Sequence, residues 1–167
     1  MRVAVLSDTH LRADRPPKAR GLPAAAWERL RRSDVILHAG DVLDTGTLAE
    51  LAAVAPLHAV LGNNDLTLVG ELPVSTVVEL QGVRVGMIHD SGASSGRAAR
   101  MRRRFPDADV VVFGHSHIPW DEDGIDGQVL FNPGSPTQRR AQPTRTMGEL
   151  VIADGRLVER RLVDLGP

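Results

Sequence analysis

Short apolar runs, each closed by polar residues, punctuate this chain and set its fold class. Val3 to Leu6, Val35 to Leu37 and His58 to Leu61 are such runs in the first half of the sequence. They alternate with residues 24–32 and 47–54, which are rich in helix formers and predict helices. Strands that are apolar throughout are buried on both faces, which favours parallel pairing between helical layers. The first half therefore predicts an α/β arrangement with a mostly parallel sheet.

The second half of the chain predicts strands joined by tight turns. Residues 75–80 and 83–88 flank Gln81-Gly82, and residues 147–153 and 156–165 flank Asp154-Gly155, and both dipeptides are two-residue hairpin signals. The other elements that we predict here are a helix over 97–105 and strands over 110–113 and 128–131. Segments 11–22 and 134–145 lack regular patterns, and we expect them to be loops beside a site.

Length and composition exclude several classes of protein. We expect residues 1–167 to form a single domain, and a net charge of -1 argues against a general binder of nucleic acid or membrane surfaces. The absence of cysteine excludes disulfides, thiolate zinc sites and cysteine nucleophiles. No apolar run approaches the ~18 residues of a membrane span, and the first residues lack the apolar core of a secretory signal. We expect a cytoplasmic protein.

Side chains that can bind metal follow the apolar runs at the point where each strand ends. Because sites in α/β sheets form beyond the carboxyl ends of strands, we expect these side chains to converge. The candidate ligands are Asp8, His10, Asp41, Asn63, His89, His115 and His117.

The chemistry of this candidate set points to two transition-metal ions. Carboxylate, amide and imidazole ligands without thiolate suit manganese, iron, cobalt, nickel or zinc better than calcium. Seven ligands are too many for one ion but suffice for two if one carboxylate bridges them. Two divalent ions, two aspartates and a hydroxide would leave positive charge, which would bind and polarise a phosphoryl group.

Five segments in order resemble the motifs of the calcineurin-like metallophosphoesterases. A sixth segment, Asn132 to Ser135, extends the resemblance to the small YfcE-type phosphodiesterases and to their non-catalytic relative, the retromer subunit of vacuolar sorting. The five segments are Asp8-Thr9-His10, Gly40-Asp41, Gly62-Asn63-Asn64-Asp65, His89 and Gly114-His115-Ser116-His117.

The resemblance implies a fold, a mechanism and a role for each ligand. The fold is a four-layer αββα sandwich of two packed mixed β-sheets flanked by helices, and the reaction is hydrolysis by a hydroxide that bridges two divalent ions. Manganese is the first expectation for both ions, with iron, nickel, cobalt and zinc as alternatives. The implied ligands are Asp8, His10 and His117 for one ion, Asn63, His89 and His115 for the other, and Asp41 as the bridge.

Two residues depart from the family pattern. Larger phosphatases have a histidine at the position of Asn64 that protonates the leaving group, and an amide cannot do so. We therefore expect poor hydrolysis of esters with high-pKa leaving groups, with Asp65 or Asp90 as substitute acids only if their pKa values are raised. Asp90 replaces a common glycine and could strengthen metal binding or repel an anionic substrate. The catalytic set that we predict is Asp41, Asn64 and Asp65.

Several further residues have simpler interpretations. His38 and His58 do not match ligand positions and are expected to have structural roles. We expect the arginines of residues 97–104 to form a solvated helix surface, with a contact to an anionic partner as the less favoured alternative. Either Arg139 or Arg140 could bind a substrate phosphate, and a surface role for both is equally open. Asn132 and Ser135 could orient ligands or only shape a loop.

The function that we predict is a metal-dependent phosphodiesterase acting on a small phosphodiester, with specificity from loops 11–22 and 90–96. A phosphomonoesterase or a dinucleotide pyrophosphatase is the alternative within the enzymes. A protein-binding scaffold of the same fold and a nucleotide sensor without turnover are the alternatives outside them. We expect no stable nucleic-acid binding and no membrane contact. The chain could form a homodimer or homotetramer, through strands near 74–78 or the C-terminal hairpin.

Overall fold

The computed structural model describes residues 1–11 and 21–167, and the strands among them form two five-stranded sheets. The helices are α1 (Ala24–Leu30), α2 (Thr45–Ala52) and α3 (Arg97–Arg104), with short 3-10 turns at Leu66–Leu68 and Ile125–Gly127. The strands are β1 (Arg2–Leu6), β2 (Val35–His38), β3 (Leu57–Ala59), β4 (Ser75–Leu80), β5 (Val83–Ile88), β6 (Val110–Val112), β7 (Trp120–Asp123), β8 (Val129–Asn132), β9 (Thr146–Ala153) and β10 (Arg156–Asp164).

Each sheet is mixed and contains three neighbouring parallel strands. The first sheet has the order β10-β9-β1-β2-β3, in which β1, β2 and β3 are parallel and the C-terminal hairpin adds two antiparallel strands. The second has the order β4-β5-β6-β8-β7, with β5, β6 and β8 parallel and an antiparallel strand on either side. Both predicted hairpins, at Gln81-Gly82 and Asp154-Gly155, are confirmed.

Three apolar layers hold the sheets and helices together. The inner faces of the two sheets pack on each other, with Val5 and Leu37 from the first sheet and Val85 and Val112 from the second in one buried cluster. The outer face of the first sheet is covered by α1 and α2. The outer face of the second is covered by α3, whose Met101 packs in a third cluster. The predicted four-layer αββα sandwich of two packed mixed sheets is therefore confirmed.

The sequence pattern misses one strand. Residues Trp120–Asp123 carry three acidic side chains and no apolar run, yet they pair with β8 as an edge strand. Tertiary pairing decides this element, since Arg160 of β10 binds Asp121 at 2.7 Å and Asp123 at 2.8 Å. None of the helices in the described parts of the chain is long and apolar enough to cross a membrane.

The carboxyl ends of parallel strands from both sheets meet at one end of the sandwich. The segments that follow β1, β2 and β3 in the first sheet, and β5 and β6 in the second, lie there and carry the candidate ligands. The loop that we predicted over 11–22 follows His10 directly in the sequence, and its residues 12–20 lie outside the described part of the chain.

Candidate metal centre

The structure brings the aspartates and three of the histidines into one buried cluster. Asp8 Oδ1 lies 3.4 Å from His117 Nε2. Asp41 Oδ2 lies 3.4 Å from His10 Nε2 and 3.5 Å from His89 Nε2. Asp8 is fully buried, and Asp41 and His117 are almost so. Asp41 therefore stands between the histidine that follows β1 and the one that follows β5.

Asn63 joins the remaining candidate, His115, to the same cluster. The Asn63 side-chain oxygen lies 3.1 Å from His89 Nε2 and 2.9 Å from His115 Nδ1. Asn63 and His115 are exposed, whereas His89 is buried. All seven candidate ligands thus form one connected group, with one open side at Asn63 and His115.

Backbone carbonyls orient two of the histidine rings. His89 Nδ1 lies 2.7 Å from the Ala39 carbonyl oxygen, and His117 Nδ1 lies 2.9 Å from the Gln138 carbonyl oxygen. Because a carbonyl can only accept a hydrogen bond, Nδ1 carries the proton in both rings. In the neutral imidazoles Nε2 therefore directs a lone pair into the cluster, as histidines that bind metal do.

The donor atoms of the cluster fit divalent metal ions. Among the described residues, Asp8 Oδ1, His10 Nε2 and His117 Nε2 are buried and have no hydrogen-bond partner. His89 Nε2 and the Asn63 oxygen are two acceptors that face each other when His89 is neutral. Buried acceptors that face one another are stable only around a shared cation, either a proton or a metal ion. Two sets of three groups close enough to hold an ion overlap at Asp8: Asp8, His10, His117 and Asp8, Asp41, His89.

The charges of the cluster respond to burial and to one another. Burial raises the pKa of Asp8 to about 6 and lowers the pKa of His117 to about 4. Burial acts against ionisation of Asp41, but hydrogen bonds from His89 and Asn64 hold the pKa of Asp41 well below its usual range. Burial opposes protonation of His89, yet the hydrogen bond to Asp41 and the charge of Asp8 raise the pKa of His89. The two carboxylates thus favour a positive charge at His89, where a cation would bind.

Five of the seven candidate ligands have left-handed backbone conformations. Asp8, His10, Asp41, His115 and His117 have φ between 45° and 68°. Such φ values are uncommon outside glycine and cost about 1 kcal/mol or more each. They persist only where the surroundings enforce them, and they turn successive side chains of tight loops towards one point.

The glycine that precedes a ligand lets neighbouring loops approach closely. A Cβ atom on Gly114 would lie 1.8 Å from Ser7 Oγ, and one on Gly62 would lie 2.2 Å from the backbone nitrogen of Asp41. Both distances are far inside van der Waals contact. Only glycine allows the loops after β6 and β3 to touch those after β1 and β2.

The structure corrects our interpretation of Asp65 as a substitute acid. Asp65 is fully buried, and its carboxylate accepts hydrogen bonds from the backbone N–H groups of Gly62 at 2.7 Å, Asp41 at 2.9 Å and Leu43 at 2.8 Å. The carboxylate faces these amides and not the open side of the cluster, so it is badly placed to protonate a leaving group. Asp65 instead fastens the loop after β3 to the loop after β2.

Asn64 and Asp90 also have defined contacts. The Asn64 side-chain amide donates to Asp41 Oδ2 at 2.7 Å, and its backbone N–H donates to Asp41 Oδ1 at 2.9 Å. Asn64 therefore holds the central carboxylate from the exposed side. Asp90 accepts a hydrogen bond from the backbone of Gly92 at 2.7 Å, so its carboxylate closes a turn in its own loop.

Hydroxyl groups fix the backbone of the loop after β1, and the sequence pattern did not identify most of them. Ser135 Oγ donates to the Asp8 carbonyl at 2.8 Å, and Thr137 Oγ1 donates to the Thr9 carbonyl at 2.7 Å. Ser7 Oγ donates to Asp8 Oδ2 at 2.8 Å. Of these residues only Ser135 was a candidate, because isolated hydroxyl residues carry no spacing signal.

The Thr9 side chain also contacts a buried histidine. Thr9 Oγ1 lies 3.0 Å from His38 Nε2, and His38 is fully buried. This contact places His38 beside the cluster but outside the ligand group, in agreement with the structural role expected from the sequence. Asn132, the other predicted supporting residue, donates from its side chain to the Gly114 carbonyl at 3.0 Å and to Ser116 Oγ at 3.2 Å.

The interpretation of residues 97–104 as a solvated surface is wrong for the first arginine. Arg97 is 9% exposed, and its guanidinium carbon lies 4.9 Å from the Phe113 ring centroid and 4.6 Å from that of Trp120. Arg100 donates to the Ser91 carbonyl at 2.8 Å and also binds the Ala93 carbonyl. These arginines support the loop after β5, and only the later ones face solvent.

Comparison with known proteins identifies the family. The model of the calcineurin-like phosphoesterase superfamily domain matches residues 1–155. A protein of Methanothermobacter thermautotrophicus named as a probable metallophosphoesterase is 34% identical over 168 residues, which cover 99% of this chain and 94% of the relative. The chain therefore belongs to the calcineurin-like phosphoesterase superfamily, a metal-dependent family.

Solved structures share the fold. Vps29 from Entamoeba histolytica, in complex with Zn²⁺, has a TM-score of 0.73 at 22% identity, covering 99% of this chain and 100% of that one. YfcE, a phosphoesterase from E. coli, has a TM-score of 0.60 at 20% identity, covering 96% of this chain and 98% of that one. At these identities the likeness establishes the architecture alone, and it is shared by a protein named as a phosphoesterase and by one named for vacuolar protein sorting.

Proposed function

We propose that this chain is a metal-dependent phosphodiesterase that acts as a single domain on a small phosphodiester. Membership of a metallophosphoesterase family supports hydrolysis of a phosphate ester. The preference for diesters is our own inference from Asn64, which offers no proton to a leaving group. A cytoplasmic location and the absence of nucleic-acid and membrane partners stay predictions.

One observation carries the proposal: the acceptors Asp8 Oδ1, His10 Nε2 and His117 Nε2 are buried beside Asp41 and have no hydrogen-bond partner among the described residues. We assign Asp8, His10 and His117 to one ion and Asn63, His89 and His115 to a second, with Asp41 between them. Manganese is the first candidate, and iron, nickel, cobalt and zinc offer the same ligand preferences. Bound there, two such ions would supply a bridging hydroxide as nucleophile and Lewis-acid polarisation of the phosphoryl oxygens.

The chain's own residues support binding of an anionic substrate on the open side. The positive charge of Arg140 contributes to lowering the pKa values of His10 and His117, after the larger effect of burial. Arg139 binds the Gln142 carbonyl at 2.8 Å and is thereby directed elsewhere. We therefore assign contact with the substrate phosphate to Arg140. Asn64 holds Asp41 in place and does not transfer a proton.

The test is hydrolysis by protein that has been stripped of metal and refilled with Mn²⁺. We expect turnover of bis-p-nitrophenyl phosphate and much weaker turnover of p-nitrophenyl phosphate. Asp41→Asn and His115→Ala should abolish both, because each removes an assigned ligand. His58→Ala is the matched control, since His58 lies on β3 outside the cluster, and it should retain the wild-type rate.

Two results would contradict this proposal in different ways. A monoester rate above the diester rate would exclude the assigned preference and favour a phosphomonoesterase. If protein that binds two ions in calorimetry turns over neither ester with any of the five metals, the proposed enzymatic activity would be excluded.

A protein-binding scaffold is the second candidate function. The observation in its favour is a set of exposed apolar side chains on β4 and the segment that leads into it, at Leu66, Val69, Val74 and Val77. The likeness to Vps29 permits this role but extends only to the fold. All seven candidate ligand positions hold residues that can bind metal. This completeness favours the phosphodiesterase over the scaffold, because a scaffold could lose such residues without consequence.

A further inference from the structure

The four strands at the sheet edges differ in how they are protected from pairing with another chain. β3 has only three residues. β10 has an irregularity between Leu157 and Glu159 and is rich in charged residues, and β7 is acidic and bound by Arg160. Short length, bulges and charges are the usual protections of an edge strand. β4 has six residues in regular register with β5, and its single charged side chain is Glu79.

Exposed apolar side chains accumulate in the segment that leads into this unprotected strand and on the strand itself. Of the seven large apolar side chains that are exposed in the described residues, four lie within residues 66–77. Val74 directly precedes β4 and is 63% exposed, and Val77 lies on β4 and is 52% exposed. An exposed apolar side chain on a free edge strand is typical of an interface.

The hairpin turn determines which backbone groups of β4 are free. Leu80 and Val83 close the two-residue turn at Gln81-Gly82, so they form a hydrogen-bonded pair. Pairs alternate along an antiparallel ladder, and the N–H and C=O groups of Ser75, Val77 and Glu79 consequently point away from β5. Outside the strand ladders, the backbone hydrogen bonds of the described residues include none from these three residues.

A second copy of the chain can satisfy these groups in one register. If a two-fold axis passes through Val77, then Val77 of each copy faces the other, and Ser75 of one copy faces Glu79 of the second. All three outward-pointing residues are then paired, and paired side chains lie on the same face of the sheet. The arrangement is isologous, as a closed dimer requires.

Charges in this register are complementary. Arg104 of α3 donates to Ser75 Oγ at 2.9 Å, so its guanidinium lies on the same face as Ser75. In the two-fold pairing Glu79 of the second copy comes opposite that serine and within reach of Arg104. Within the described residues of one chain, no ion pair of Glu79 or Arg104 is found. Glu79 faces Arg84 across the β4–β5 ladder of its own chain, so pairing would give Glu79 a second positive neighbour and give Arg104 a carboxylate partner, twice by symmetry.

We propose that the chain forms a homodimer by antiparallel pairing of β4 with β4 of a second copy about a two-fold axis at Val77. The two second sheets join into one ten-stranded sheet, and the exposed Val77 side chains of the two copies face each other at the junction. The C-terminal hairpin, the other edge considered from the sequence, stays free.

The first test uses single cysteines in a chain that contains none. In the dimer the two Val77 Cα atoms lie about 5.5 Å apart, within the ~4.4–6.8 Å that a disulfide spans. Val77→Cys should form covalent dimer about tenfold faster than Val158→Cys, an equally exposed valine on β10. Faster cross-linking of Val158→Cys, or equal and slow cross-linking of both, would overturn the proposal.

The second test exchanges the charges. Glu79→Arg alone and Arg104→Glu alone should each weaken dimerisation in sedimentation equilibrium by about 10-fold, because like charges then face each other twice. The double variant Glu79→Arg/Arg104→Glu should restore the wild-type constant. Circular dichroism checks that each variant is folded. A wild-type protein that is monomeric at all concentrations, or a double variant as weak as the single ones, would contradict the pairing.

Discussion

Asp41 organises the candidate centre at the scale of single residues, and Asn64 is its nearest polar neighbour on the exposed side. The Asn64 amide and backbone N–H reach different oxygens of the same carboxylate, at 2.7 Å and 2.9 Å. A carboxylate held in this way has one orientation, and its pKa stays low. The residue that would supply an acid in larger relatives is used here to position the central ligand.

Replacing Asn64 with histidine should add the missing acid. Asn64→His is expected to raise the rate on a diester with an alkyl leaving group by about 10-fold or more, a lower bound for general-acid catalysis. The rate on bis-p-nitrophenyl phosphate should change little, because p-nitrophenolate leaves without protonation. The measurement is the ratio of the two rates with Mn²⁺, and Asn64→Gln is the control without an acid. Equal ratios in both variants would contradict the role that we assign to this position.

Loops between elements, not the strands themselves, create the centre. Each candidate ligand lies one to five residues beyond the end of a parallel strand, and left-handed residues turn the chain there. The order of the strand ends and the candidate ligands could be predicted from the sequence, because the apolar runs end abruptly and Asp, Asn or His follow them. The contacts that hold the loops are not readable, since Ser7, Thr137 and Asp65 come from separate parts of the chain and act through backbone atoms.

The Asp65 carboxylate is the contact that joins the loops after β2 and β3. Asp65→Asn should reduce the affinity for Mn²⁺ by about 10- to 100-fold, the usual effect of losing a group that orients metal ligands. The asparagine NH₂ group would face backbone N–H donors and lose at least one charge-assisted hydrogen bond. Calorimetric titration of metal-free protein measures the affinity.

Asp34→Asn is the matched control for this change. The Asp34 carboxylate also accepts a backbone hydrogen bond, from Arg2 at 2.7 Å, but at the opposite end of β1 from the cluster. The affinity of the Asp34→Asn variant for Mn²⁺ should equal that of the wild type. An unchanged affinity in folded Asp65→Asn would show that the loops hold the ligands without this carboxylate.

For the molecule as a whole, most strands, the helices and the hairpins were predictable because the apolar runs and hairpin signals are strong, whereas the packing of two sheets was implied by the family resemblance. β7 was not, because its sequence is acidic and its place depends on partners in β8 and β10. The burial of Arg97 was not predictable either, since arginine clusters on a short helix are ordinarily solvated. Stacking against Phe113 and Trp120 stabilises it inside.

The stability of the whole fold should depend on pH through His38. Burial lowers the pKa of His38 to about 3, whereas the unfolded chain has a value near 6.5. The unfolded state therefore binds a proton first, and the stabilisation is complete above about pH 6.5 and is lost progressively as the pH falls towards 3. Between pH 7.5 and 5.5 this single group should lower the free energy of unfolding by about 1 kcal/mol.

Urea unfolding with a chelator at the two pH values measures this effect. His38→Gln keeps a side chain that can reach Thr9 but does not titrate. The free energy of unfolding of this variant is expected to fall by about 1 kcal/mol less than that of the wild type over the same interval. Identical losses in the two proteins would assign the pH dependence to other groups.

The turn at Gly62 to Asp65 has a consequence for how this protein can vary. Its four consecutive residues each have a different role. Gly62 allows the close approach to Asp41, and Asn63 is an assigned ligand. Asn64 holds the Asp41 carboxylate, and Asp65 joins the loops after β2 and β3. An insertion or deletion of one residue here would displace at least two of these functions together, since each depends on its distance along the chain from the others. Substitution is thus the only route of change open to this turn, and length variation among natural or designed versions should fall elsewhere.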